Sequence, residues 1–354
     1  MADKDLFEYS GACMSPPEAA VFLRQFDAIP TFGGELAKMV PSEGLKAKLT
    51  DAFCGFEGVS RDSVERKVRN WLSGKNAPQN REDVFICAFT LGLSEEQTSL
   101  LLGVCDDAGI HYRDARELTY AYALRRGYDY ERAADLFASL PDGKEYGLTS
   151  PPSIYTFAVR EAFRATNDDD GFRSEFAAHL YELGTSHNRA YYYFRQFTDA
   201  LFTPSEDDDA YGVELVIDTY LSPHIAPGRS RRGLDQVQKL IRRAFPNASD
   251  LRGMLARRID IPRKLLLLLY IVTEASFDEY SEADEDYISD RERFDNHWWC
   301  VNLMLSDCGM PVLDPRNPYD WLVLFSLNTS DADESMLDRF DAVLSYLFGG
   351  EYPE

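Results

Sequence analysis

A chain of 354 residues, 45% hydrophobic and 13% aromatic, carries more apolar material than one ordinary core consumes; two or three packed modules are expected and wholesale disorder is excluded. Against 37 basic side chains stand 60 acidic ones, a formal net charge of -23. A protein that coats nucleic acid over its whole surface is basic, so contact with a polyanion has to come from a local patch on a repelling body.

The opening residues Met1, Ala2, Asp3, Lys4 and Asp5 lack the apolar core of a secretory leader. The longest apolar run, residues 265–272, falls far short of the roughly 20 residues of a membrane span. A cytoplasmic protein without membrane contact is the expectation. The cysteines, Cys13, Cys54, Cys87, Cys105, Cys300 and Cys308, form no C-x-x-C pair. With Cys87 set in the apolar pattern Phe85-Ile86-Cys87-Ala88-Phe89, they read as reduced core thiols.

Helical periodicity predicts an all-α fold, an N-terminal helix-turn-helix-like bundle followed by a larger multi-helix C-terminal region. A short amphipathic helix is expected over 17–28, after which Gly33-Gly34 marks a loop. A second helix over 43–54 has Leu45, Leu49, Ala52 and Phe53 on one face. Ser60 reads as the N-cap of a helix through Val64, Val68, Trp71 and Leu72, with Ser63 a rival cap one turn later and Gly74 ending it. A helix over 81–91 is stopped by Gly92, and Ser94-Glu95-Glu96-Gln97 is a capping box ahead of Leu100, Leu101 and Val104. Helices over 114–126 and 130–140 are similar to one tetratricopeptide hairpin at Tyr130, Ala133 and Phe137; no second copy of that hairpin is found, so they are taken as a plain αα-hairpin.

Residues 141–152, rich in Gly, Pro and Ser, are the expected domain boundary. Further helices are expected over 153–166, 171–184, 188–202, 211–221, 233–245, 261–276, 291–307 and 331–348, with acidic loops at 168–170, 206–209 and 278–286. The resulting plan is an arm over 1–34, a helix-turn-helix-like module over 35–107, a hairpin and linker over 108–150, and a helical C-terminal domain over 151–354.

The chemistry concentrates in residues 58–93. Between Ser60 and Arg81 the bases are Arg61, Arg66, Lys67, Arg69, Lys75 and Arg81 and the acids are Asp62 and Glu65, a local excess of +4 in a chain at -23. A helix that docks on phosphates needs such a reversal. Arg66 and Arg69 are three apart and share a face. With Arg61 and Asn70 they are the candidates for phosphates or base edges. Ser63 opens the docking helix, and Lys75 and Arg81 would face the phosphate backbone.

The run Trp71-Leu72-Ser73-Gly74-Lys75, then Pro78, then a helix closing on Leu91-Gly92-Leu93-Ser94, resembles the DNA-binding domain of the xenobiotic-response-element/Cro repressor family. The distance from Ser60 to Trp71 is about one helical turn longer than in that family. The family's Q-x-x-L-A first helix has no good counterpart in Leu49-Thr50-Asp51-Ala52-Phe53. The resemblance implies a recognition helix over 63–71 docked in the major groove of double-stranded DNA. It further implies a transcriptional regulator whose C-terminal region handles dimerisation or sensing. The alternative is an acidic helical adaptor or inhibitor that reuses the shape to bind a basic protein partner. Ile110-His111-Tyr112-Arg113, and the stretch from Cys308-Gly309-Met310 through Asp314-Pro315-Arg316-Asn317-Pro318-Tyr319-Asp320-Trp321, resemble a family of uncharacterised proteins of anaerobic gut bacteria.

A second basic stretch holds Arg229, Arg231, Arg232, Lys239, Arg242, Arg243, Arg252, Arg257, Arg258, Arg263 and Lys264 against Asp235, Asp250 and Asp260, a local excess of +8. Gln236, Lys239 and Arg243 lie at helical spacing opposite Leu234, Val237 and Ile241. A surface for nucleic acid or an acidic partner is one reading; neutralisation by the acidic loops, 278–286 above all, is the other. In Arg189-Ala190-Tyr191-Tyr192-Tyr193-Phe194-Arg195, Tyr191 and Phe194 are expected in the core. Asn317 suits an N-cap and Pro318 the first turn of a helix. The histidines, His111, His179, His187, His224 and His297, are isolated, and the zinc-protease, serine-hydrolase and phosphate-loop motifs are missing. No enzymatic activity, cofactor or metal is therefore expected, and a homodimer is compatible with either functional reading.

Overall fold

The computed structural model describes residues 6–26, 30–57, 60–106, 109–141, 156–180, 183, 188–201, 234–273, 289–329 and 335–348. Among the described residues there are eighteen helices and no strand, an all-α protein. In chain order they are α1 Leu6–Tyr9, α2 Pro16–Arg24, α3 Phe32–Met39, α4 Leu45–Glu57, α5 Arg61–Leu72, α6 Arg81–Leu91, α7 Glu95–Asp106, α8 Ala115–Arg126, α9 Tyr130–Ala138 and α10 Thr156–Arg164. There follow α11 Asp169–Ala178, α12 Asn188–Leu201, α13 Gln236–Arg242, α14 Ala248–Leu255, α15 Arg263–Thr273, α16 Asp290–Asp307, α17 Pro318–Ser326 and α18 Met336–Phe348. The chain divides into two units, Pro30–Asn188 and a second made of Met1–Ile29 with Arg189–Glu354.

In the 30–188 unit the helix starts are written in short polar caps. Thr31, Asn80, Asp114, Asp129 and Asp168 each accept a backbone N–H of the following first turn. Gly92 and Gly127 close α6 and α8 in the left-handed conformation that lets the chain turn away. The apolar faces of α3 to α9 meet in one core that includes Phe32, Leu36, Leu49, Phe53, Trp71 and Phe85. A satellite core joins Leu118 and Tyr122 of α8 to Val159, Phe163, Phe172 and Phe176 of α10 and α11. The unit therefore runs past the boundary expected at 141–152, because the aromatic face of α10 and α11 is buried against α8. Residues 142–155 themselves lie outside the described residues.

Gly33-Gly34, expected in a loop, lies in the first turn of α3. Thr31 Oγ1 accepts the Gly34 N–H at 3.1 Å and starts the helix there. Gly33 is needed for close approach: a Cβ at that position would stand 2.4 Å from the Leu72 carbonyl oxygen and 2.6 Å from that of Trp71. Gly33→Ala is expected to cost about 1–3 kcal/mol, since both obstacles are backbone and neither yields by a rotamer change. Urea unfolding checks this, and a variant as stable as the parent would mean that α3 and α5 are not in such close register.

In the second unit α15 is buried on every side over residues 265–272 and α17 over its whole length. Around them pack α2, α12, α14, α16 and α18. Of the stretch expected to form a separate arm, the part up to Ile29 belongs here and Pro30–Gly34 falls in the 30–188 unit: Trp321 Nε1 donates to the Tyr9 carbonyl at 2.9 Å, and Arg24 donates to the carbonyls of Tyr346 and Leu347. Phe194 is fully buried and Tyr191 partly so, as expected from their spacing. Asn317 caps α17, with Pro318 in its first turn. Helix α14 was not foreseen, and the helix expected over 211–221 lies outside the described residues. No helix among the described residues is long and apolar enough to cross a membrane.

Candidate nucleic-acid interface

Helix α5 is rooted by Val64, Val68 and Trp71, one buried face at helical spacing. Trp71 is held edge-on by Phe32 at 6.1 Å and by Phe53 at 5.3 Å between ring centroids. That anchoring fixes which α5 side chains face outward. Ser60 is the N-cap residue, in extended conformation, and Ser63 sits half-buried in the first turn.

The six bases of the segment sort into two groups. Arg61 pairs with Asp51 of α4 at 2.7 Å, which raises its pKa above the ordinary arginine value. Lys67 turns inward: its ammonium lies 5.0 Å from the ring centres of both Phe53 and Trp71 and 3.4 Å from Asp83. Arg81 is the first residue of α6. Its guanidinium makes a fork onto Glu117 of α8 at 2.6 and 2.8 Å and donates to the Gly109 carbonyl at 2.6 Å. Burial lifts the Glu117 carboxyl above its ordinary value, while Arg81 and the His111 N–H act the other way. Arg81, expected to face the phosphate backbone, and Lys67, a further DNA-binding candidate, are each held by a carboxylate distant in sequence.

The second group, Arg66, Arg69 and Lys75, is exposed and makes no ion pair among the described residues. Arg66 and Arg69 share the outward face of α5 with Asp62, which is equally without an ion-pair partner among the described residues. Asn70 is half-buried, and its carbonyl accepts the N–H groups of Lys75 and Asn76 at 3.0 and 3.2 Å. Gly74, at φ 69°, supplies the left-handed turn that sends Lys75 outward. Glu65 is paired with Lys46, which holds its carboxyl below the usual range. An open depression of about 620 Å³ follows this face, lined by Ser60, Asp62, Ser63, Glu65, Arg66 and Arg69. The local positive excess counted along the sequence shrinks here to three cations, beside one carboxylate, that form no ion pair among the described residues. Sequence reading missed Asp51 and Glu117 because no spacing rule links them to Arg61 and Arg81.

The second basic stretch is also divided. Arg231 and Arg232 lie outside the described residues, as does the acidic 278–286 segment. Lys239, Arg243 and Arg258 are exposed, and Arg242 is half-buried. Val237 and Ile241 form the buried face of α13, as their spacing indicated. Arg257 folds back, its guanidinium 3.9 Å above the Tyr191 ring. Arg263 leaves the surface altogether, forked onto Asp320 at 2.7 and 2.8 Å. None of the six cysteines is in a disulfide. No family model, no curated protein and no solved structure matches the chain.

Proposed function

We propose that helices α3 to α7 form a helix-turn-helix module that docks on double-stranded DNA through the outward face of α5, and that the chain acts as a DNA-binding transcriptional regulator. The observation that carries this reading is the pair Arg66 and Arg69, exposed on one helix face with no ion pair among the described residues, with Lys75 exposed in the turn that follows. Exposed cations that form no ion pair among the described residues, in a chain of net charge -23 with acids in excess, are positioned for an external anion. The spacing of α4 and α5 supports the reading, since α4 ends at Glu57 and α5 begins at Arg61, a separation of the kind that joins helix-turn-helix pairs. Trp71-Leu72-Ser73-Gly74-Lys75 adds the repressor-like turn.

The test is fluorescence anisotropy of the full chain against random-sequence duplex DNA at about 50 and 200 mM salt. A double variant, Arg66→Ala with Arg69→Ala, is expected to lower the slope of log affinity against log salt by about 2, at about 0.9 per phosphate contact. No binding at the lower salt would sink the proposal. The acidic body with Asp62 on the α5 face would then favour the adaptor reading, with a basic protein as partner.

A further inference from the structure

Helices α14 to α18 repeat the plan of α5 to α9. The turn after α5 has four backbone bonds: Ser73 N–H to Arg69, Gly74 to Trp71, and both Lys75 and Asn76 to the Asn70 carbonyl. After α14 the same four recur with a constant offset in numbering: Ala256 to Arg252, Arg257 to Met254, and both Arg258 and Ile259 to the Gly253 carbonyl. The left-handed residue is Gly74 in one and Arg257, at φ 54°, in the other. The glycine turns at Gly92, Gly127 and Gly309 show no such doubled bond onto one carbonyl.

The correspondence continues along the chain. Each turn leads to a helix whose first residue is an arginine, Arg81 of α6 or Arg263 of α15. The next helix opens on a serine capping box, at Ser94 or Ser289. From it a polar side chain accepts a loop N–H: Ser99 Oγ that of Ile110 at 3.2 Å, Asn302 Oδ1 that of Leu313 at 2.8 Å. The loop ends in an Asx cap, Asp114 or Asn317, and the third helical residue is the carboxylate that the arginine grips, Glu117 or Asp320. That carboxylate also accepts a loop N–H, His111 or Asp314, each at 2.8 Å. The arginine donates to the carbonyl of Gly109 or Val312, positions that correspond. Packing agrees from α6 and α15 onward: α6 with α7 and α9, and α8 with α9, mirror α15 with α16 and α18, and α17 with α18, whereas α4 packs on α5 and α6 and α13 packs on α17. Sequence identity has nearly vanished. Across 109–117 and 312–320 only Arg113 and Arg316 match.

The register assigns partners to the α5 face. Trp71 corresponds to Met254, both buried; Arg69 to Arg252 and Lys75 to Arg258, all four exposed. Arg66 corresponds to Ser249, also exposed, and Lys239 and Arg243 lie exposed just before α14. The carboxylates of this stretch are Asp250, in the α14 cap, and Asp260 beyond the turn. We infer that the outer face of α14 and its turn, through Arg252 and Arg258, is a second docking face for duplex DNA, so that one chain carries two. The inference rests on the DNA reading of α5.

The experiment compares the full chain with three variants: Arg66→Ala/Arg69→Ala, Arg252→Ala/Arg258→Ala, and all four changes together. Each is titrated into a labelled random duplex across a salt series, with thermal melting as a control for folding. The α14 double variant is expected to lower the salt slope of binding through its face by about 2, as the α5 variant does for its own, and the quadruple variant to weaken both. Arg252→Lys with Arg258→Lys keeps the charges and is expected to retain most of the slope. An α14 variant that behaves like the parent, while the α5 variant weakens, overturns the second face and leaves the first standing. The reverse pattern keeps the second face and removes the first. Absence of duplex binding by the parent chain removes both.

Discussion

Asp320→Ala is expected to destabilise its unit by about 3–5 kcal/mol, among the largest losses of any single substitution in the chain. Arg263 and Asp320 have side chains 2% and 3% exposed. The carboxylate takes both arms of the guanidinium and the Asp314 N–H, and the arginine also donates to the carbonyls of Pro311 and Val312. Removing Asp320 strands a charged guanidinium in an apolar core and frees the loop before α17. Asp320→Asn keeps the shape and strands the same charge, so it should also be costly. Arg263→Met with Asp320→Leu removes both charges and is expected to recover much of the loss, since a buried pair repays little more than its own desolvation. Trp71 is the only tryptophan of the 30–188 stretch, and Trp298, Trp299 and Trp321 belong to the other unit. Denaturant unfolding followed by tryptophan fluorescence in a Trp71→Phe background therefore reports this unit alone. A loss below about 1 kcal/mol for Asp320→Ala would show that water reaches the pair.

What could be read from the chain was local. The bounds of α5, α6 and α7 were legible because Ser60, Gly74, Gly92 and the Ser94 box are signals within one turn of the helix ends that they set. Gly33-Gly34 misled because a glycine pair marks a sharp turn and a close approach equally, and only the Leu72 carbonyl decides between them. The candidate site was half legible. Spacing put Arg66 and Arg69 on one face, but Lys67 and Arg81 were withdrawn by Asp83 and Glu117, whose proximity depends on how α6 and α8 pack. The repeat was hidden for a related reason. Its signature is a set of hydrogen bonds that Gly or Arg, Ser or Asn, and Glu or Asp each satisfy, so the plan persists where identity does not.

Trp71→Ala is the substitution expected to separate folding of the α5 face from its charge. The indole is 4% exposed and fills the space between α3, α4 and α5, against Phe32 and Phe53 and beneath the Lys67 ammonium. Truncation opens a cavity of indole size, and the carbonyls of Trp71 and Leu72 already lie against Gly33, which leaves α3 little room to collapse inward. The expected loss is about 3–5 kcal/mol. Since the change removes the fluorophore, the readout is the labelling rate of Cys87, fully buried in the same core, whose thiol is pushed well up by burial. Labelling in the native buffer requires opening of the unit, so the rate should rise by orders of magnitude in Trp71→Ala. It should stay at the parent level in Arg66→Ala/Arg69→Ala. If the arginine variant also labels fast, those side chains support the fold and their exposure does not mark a docking face. If neither does, Trp71 is not the root of α5.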